Sequence, residues 1–279
     1  FQGAPEREMP EQSQLEIDAS FSMSEKEVLN KKDFAQMTAA EFAQARQEIE
    51  KLRLPVDTVV TRRFRTASSG RLIDPRAMLR KSMPTGGDLI LPRWRERRKV
   101  QPPLVVLADI SGSMSQYSRI FLHFLHALSD QRKRVHTFLF GTRLTNITRA
   151  LRNKDPDEAI DDVAEQVLDW EGGTRIGETL TTFNRLWSRR VLGQGAVVLL
   201  ITDGLERAEN EEELAQLDKE MERLSKSCRR LIWLNPLLRF EGFEPKAAGV
   251  RIMLPHVDDF RPVHSLESLA DLCTALGGR

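Results

Sequence analysis

Oxygen-bearing side chains gather at three points of this sequence, each just past an apolar or glycine-rich run. The apolar stretch Pro103 to Ala108 ends on Asp109, and Ser111 and Ser113 follow at alternate positions with Gly112 between them. Thr174 follows Gly172-Gly173, and Asp203-Gly204 closes the run Ala196 to Thr202. Carboxylates and hydroxyls are hard donors that suit Mg²⁺ better than Zn²⁺ or copper. Two carboxylates with neutral hydroxyls leave a divalent ion partly uncompensated, so an incoming Asp or Glu is drawn to its open position. The local alternative is that Asp109 caps the next helix while Ser111 and Ser113 shape a turn. Phosphoester hydrolysis with Asp109 as nucleophile is disfavoured. Ser111 stands where aspartyl-phosphate chemistry pairs a second aspartate, and no histidine lies in the three loops to act as base.

The elements that must position these donors read as alternating strands and helices. Leu104–Ala108 has the length and β-branched content of a strand buried on both faces. Ile120, Phe121, Phe124, Leu125 and Leu128 mark a helix over 118–131. Strands are expected at 134–140, 144–147, 195–202, 230–235 and 250–254. Helices are expected at 156–170, 178–189, 211–226 and 265–276. This alternation implies an α/β fold with a mostly parallel sheet and helices on both faces. If the first and fourth of these strands are neighbours, all three donor loops share one sheet edge, where ligands bind in open α/β sheets.

Upstream, Ser24–Glu27 and Thr38–Glu41 have capping-box spacing, predicting helices to about residue 32 and from Ala39 to about residue 54. A basic strand over 56–64, a helix opened by Asp74-Pro75, and a second basic strand near Leu89, Leu91 and Trp94 complete an α+β extension. The stretch Arg53 to Lys99 holds 13 Lys and Arg against 4 Asp and Glu, in a chain of net charge only +1. Such an imbalance suits an acidic partner surface or nucleic acid, or else a solvated arginine-rich face. Only Phe64 and Trp94 interleave with the arginines, which is sparse for a base-stacking platform.

The 279 residues are 40% hydrophobic and 30% charged, ordinary for a globular protein. No apolar run approaches the ~18 residues of a membrane span. No leader is apparent, and Phe1-Gln2-Gly3 reads as a tag remnant. Cys228 and Cys273 have neither metal-ligand nor disulfide spacing, as expected of reduced thiols in a cytoplasmic protein. His123 and His126 lie three apart on a helix with no third ligand in view, and Trp187 and Trp233 read as core. The expected division is a tag remnant and arm (1–22), a helical, arginine-rich extension (23–99) and an α/β domain (100–279).

Asp109-x-Ser111-x-Ser113, then Thr174, then Asp203-Gly204, in this order and after elements of these types, resembles the metal-ion-dependent adhesion site (MIDAS) of von Willebrand factor A (VWA) domains. The resemblance implies a three-layer, doubly wound, Rossmann-like VWA fold. It also implies Mg²⁺ (or Mn²⁺ or Ca²⁺) held by Asp109, Ser111, Ser113, Thr174 and Asp203, with a partner carboxylate completing the shell. Ser115, Arg175, Glu206 and Arg207 would form the partner-facing rim. Arg119, Gly172–Gly177, Leu231–Leu237, Phe243-Glu244-Pro245 and Pro255–Phe260 resemble, more narrowly, the CoxE-like branch of bacterial VWA proteins. That branch implies a non-enzymatic adaptor working beside a MoxR-type AAA+ ATPase. It would serve a client offering an acidic residue, as in maturing the metal centre of a molybdenum–copper carbon monoxide dehydrogenase. RNA or DNA binding through 53–99 is the alternative.

Overall fold

A computed structural model describes residues 26–53, 58–88, 91–153, 155–166, 174–208, 210–239 and 247–277. The expected arm (1–22), the Ser24 helix start, Leu89, Val167, Leu168, Gly172-Gly173 and Phe243-Glu244-Pro245 lie outside these residues.

Helix α1 (26–31) precedes α2 (Ala39–Lys51), which starts at a reciprocal capping box between Thr38 and Glu41. Next come β1 (Val59–Ala67), β2 (Leu72–Ile73), α3 (Pro75–Ser82) and β3 (Trp94–Val100). Asp74 caps α3 by accepting from Ala77 N, with Pro75 at the first helical position. β3 pairs antiparallel with both β1 and β2, giving a three-stranded sheet of order β1-β3-β2. Between the pairs Val60–Lys99 and Phe64–Arg97 the register slips, so Thr61, Arg62 and Arg63 bulge opposite Arg98.

The rest alternates as β4 (Leu104–Asp109), α4 (Ser115–Gln131), β5 (Val135–Phe140), β6 (Leu144–Asn146), α5 (Pro156–Gln166), α6 (Ile176–Leu186), α7 (Ser188–Val191), β7 (Val197–Ile201), α8 (Glu211–Ser227), β8 (Arg230–Asn235), α9 (Ala248–Met253), β9 (Asp259–Pro262) and α10 (Leu266–Leu276). Six of these strands form one sheet of order β6-β5-β4-β7-β8-β9, parallel except for β6 at the edge. The continuous apolar runs follow from burial on both faces. Leu104, Val106 and Ala108 enter one core while Val105 and Leu107 enter the other, and β7 and β8 divide in the same way. α4 and α10 cover the first face, and α6, α8 and α9 the second. Leu29, Phe34, Ala45 and Ile49 are buried in the first core, so α1 and α2 pack beside α4 and α10. Among the described residues no helix is long and apolar enough to cross a membrane.

The strand expected at 250–254 is instead the helix α9. Val250 and Met253, three apart, face the second core, and a short apolar run cannot by itself distinguish a strand from a buried helical turn. The final strand is β9. Its polar sequence hides it, since Asp259 pairs with Arg230 and Asp258 Oδ2 accepts from Leu231 N at 2.7 Å. The basic strand β3 pairs with β1 and β2 and does not join the edge of the main sheet.

At the α2–α4 contact, His123 is 5% exposed and meets Phe42 edge-on, with ring centroids 6.1 Å apart. Burial, then the nearby Arg46 cation, pushes its pKa down to about 4. The neutral imidazole is therefore favoured by folding, and this contribution is lost as pH falls from about 6.5 toward 4. In His123→Phe, urea unfolding should show the stability loss between pH 7 and pH 5 reduced by about 1 kcal/mol. Ile49→Ala should cost ~2–4 kcal/mol at neutral pH, the value for a core position, where a loosely docked helix would lose little.

Candidate metal centre

From β4 the chain proceeds outward to β5 and β6, then returns to β7 on the other side and proceeds to β8 and β9. The carboxyl ends of β4 and β7 therefore flank the point where the winding reverses, and the loops there diverge to leave a crevice. Asp109 is the last residue of β4, and Asp203 lies two residues beyond β7. Both are 1% exposed. Thr174, just before α6, is brought to the same place and donates from Oγ1 to Asp109 Oδ1 at 3.4 Å.

Asp109 Oδ1 also accepts from Ser111 N at 2.8 Å, which folds the loop back on the strand end. The Ser111 and Ser113 hydroxyls lie 3.2 Å apart, with Ser111 buried and Ser113 exposed. Asp203 Oδ1 accepts from Leu205 N at 3.0 Å, whereas its buried Oδ2 has no hydrogen-bond partner among the described residues. Burial pushes the Asp109 carboxyl up to about 6, despite the bonds from Ser111 and Thr202, and the Asp203 charge pushes in the same direction. An orphaned carboxylate oxygen beside a second desolvated carboxyl is a site that lacks positive charge. The donor set fits a hard divalent cation. Among the described residues no cluster of three or more His, Cys, Asp or Glu offers a metal site of another kind.

Of the four rim positions, Ser115, Arg175 and Arg207 are exposed, and Arg175 pairs with Glu178 at 3.2 Å. Glu206 turns inward: its Oε2 accepts from Ile176 N at 2.7 Å and Gly177 N at 3.2 Å, capping α6 directly after Thr174. His126 Nε2 lies 2.8 Å from Asn153 O and His123 packs on Phe42, both on α4 and away from the donor loops.

Three supporting side chains were not legible as site residues. Thr202 donates to Asp109 Oδ2 at 2.7 Å, its only signal being a hydroxyl at the end of an apolar strand. Trp233 Nε1 donates to Thr202 O at 2.9 Å and Asn235 Nδ2 to Asp203 O at 3.0 Å, so β8 holds the Asp203 loop from beside it. Leu205, 48% exposed, adds an apolar group next to Asp203.

The model of the family "VWA domain containing CoxE-like protein" matches residues 45–269. The chain belongs to the CoxE-like VWA family. Solved structures similar to this CoxE-like chain include proximal thread matrix protein 1 from the mussel byssus "with zinc occupied MIDAS motif", at 16% identity and TM-score 0.43, covering 64% of this chain and 47% of that one. A von Willebrand factor type A protein from Catenulispora acidiphila follows at 16% identity and TM-score 0.45, with 66% and 43% covered. BatB from Bacteroides thetaiotaomicron shows 17% identity and TM-score 0.42, with 63% and 96% covered. The chain spans less than half the length of the first two. No curated protein matches it. Membership rests on the family model, and these distant structural likenesses add no argument on function.

Gly204 makes the turn after Asp203 with φ of +78°, and a Cβ there would lie 2.7 Å from Trp233 Cζ2 and 2.9 Å from Val250 Cγ2. Both the backbone and the packing oppose a side chain. Gly204→Ala should lose ~2–4 kcal/mol in denaturant unfolding and displace Asp203, whereas Leu205→Ala should leave the unfolding midpoint nearly unchanged.

Proposed function

We propose that this CoxE-like chain is a metal-dependent docking adaptor. The residues that would hold the ion are Ser111, Ser113 and Thr174 through their hydroxyls, with Asp109 and Asp203 binding directly or through water. When bound, a divalent ion, Mg²⁺ by the hardness of the donors, supplies positive charge that a carboxylate of another protein can complete. The observation that carries this reading is the buried, unpartnered Asp203 Oδ2 set beside Asp109 at the switch point of the sheet. The chain's own groups favour gripping over catalysis. The hydroxyls are neutral, Glu206 is committed to capping α6, and among the described residues neither His123 nor His126 reaches the centre to act as a base. Exposed Leu205, Arg175, Arg207 and Ser115 would make the surrounding contacts.

The family supplies the partners in this reading: a MoxR-type AAA+ ATPase, and a client metalloenzyme offering the acidic residue. Nucleic-acid binding through 53–99 is less well supported. Of its two aromatics, Phe64 is covered by the Arg95 guanidinium at 4.6 Å from the ring centroid.

Titration calorimetry should show Mg²⁺ binding to the wild type. Asp109→Ala and the double variant Ser111→Ala/Ser113→Ala should weaken it by about 100-fold or more while circular dichroism stays native. In pull-downs from the native cell, chelation and Asp109→Ala should each release the partner. A partner retained through both treatments would remove the metal from that interface.

A further inference from the structure

The opposite edge of the main sheet carries a second feature, unrelated to the metal centre. A cavity of about 880 Å³ lies between the bulged end of the β1–β3 ribbon and the loops that enter the parallel strands. Arg62, Arg63 and Arg98 line it from the ribbon, and Lys133, Arg134 and Arg229 from the entries to β5 and β8. Among the described residues no Asp or Glu lines it. The bulge accounts for the density of charge on the ribbon side, since it sets Arg62 and Arg63 in extra length opposite Arg98.

Two further details mark this as a shaped site. Gln194, which also lines the cavity, has φ of 63°, the one non-glycine residue with positive φ among those described. Its Oε1 accepts from Arg134 Nη1 at 2.5 Å, so the strained turn holds that guanidinium in place. Val59, Val60 and Val100 supply an apolar wall, with Val60 56% exposed. The volume falls within the range of small-ligand pockets. Among the described residues no aromatic side chain lines it, so this lining offers no stacking track for a nucleic-acid strand.

We propose that this cleft binds a small ligand bearing several phosphoryl groups, of the nucleoside polyphosphate class. The arginine forks and lysines would take the phosphates, and the valine wall the uncharged part. The β4 and β7 strands separate the cleft from the metal centre by roughly 20 Å, so one ligand cannot occupy both.

The test is calorimetry on the full chain with ATP, inorganic tripolyphosphate and oligothymidylate, all with EDTA present. Chelation removes any binding routed through a divalent ion at Asp109. ATP and tripolyphosphate are expected to bind, ATP more tightly, and both to weaken as salt rises. Arg62→Ala/Arg63→Ala, on the exposed ribbon, and Arg134→Gln should each weaken ATP binding about tenfold or more, while Asp109→Ala should not. Tripolyphosphate binding without any ATP preference would overturn the nucleoside part of the assignment. The proposal fails if neither small ligand binds, if only the oligonucleotide binds, or if ATP affinity is unchanged in both cleft variants. Because binding is read without metal, failure here is separate from failure of the adaptor reading.

Discussion

Asp109 and Asp203 are two carboxylates buried side by side at the ends of adjacent strands, and the surrounding structure is arranged to tolerate them. A buried carboxylate with an unfilled oxygen is costly unless charge or hydrogen bonds reach it. Here Ser111 N, Thr174 and Thr202 supply Asp109, while Leu205 N supplies only one oxygen of Asp203. The remaining deficit is what a divalent cation would fill. The same deficit leaves the polar network at these strand ends incomplete.

Positioning depends on packing well away from the donors. Trp233 and Asn235 on β8 hold the backbone at Thr202 and Asp203, and Gly204 turns the chain where only a glycine fits. α9 approaches so closely that a Cβ on Gly249 would lie 2.5 Å from Gly204 O. Glu206 then caps α6 and so ties the Asp203 loop to the Thr174 loop. The centre is a junction of β4, β7, β8, α6 and α9, and those contacts set its geometry.

The two edges of the sheet differ in charge for reasons of chain order. Parallel strands bring all their carboxyl ends to one edge, where the donor loops collect. Their amino ends meet at the other edge, where Lys133, Arg134 and Arg229 precede β5 and β8. The basic ribbon β1–β3 sits against that second edge, concentrating cations away from the acidic centre.

Much of this was legible in the chain itself. The run Leu104–Ala108 ending on Asp109, the spacing of Ser111 and Ser113, and Asp203-Gly204 after a second apolar run mark the oxygen-bearing side chains that the fold gathers at one end of the sheet, because burial on both faces leaves a local signature in the strands that carry them. The helix starts at Thr38, Asp74 and Ser265 were equally plain, since capping is a short-range hydrogen-bond pattern. Only the tertiary structure could decide that α9 is a helix, that Asp258 and Asp259 belong to a strand and its register, that Glu206 caps α6, and that Thr202 bonds Asp109. Each of these depends on a neighbour 27 to 93 residues distant or on which face of a short apolar run meets the core. No local pattern encodes such contacts, because the partner is chosen by the order of the strands, and that order exists only once the sheet has closed.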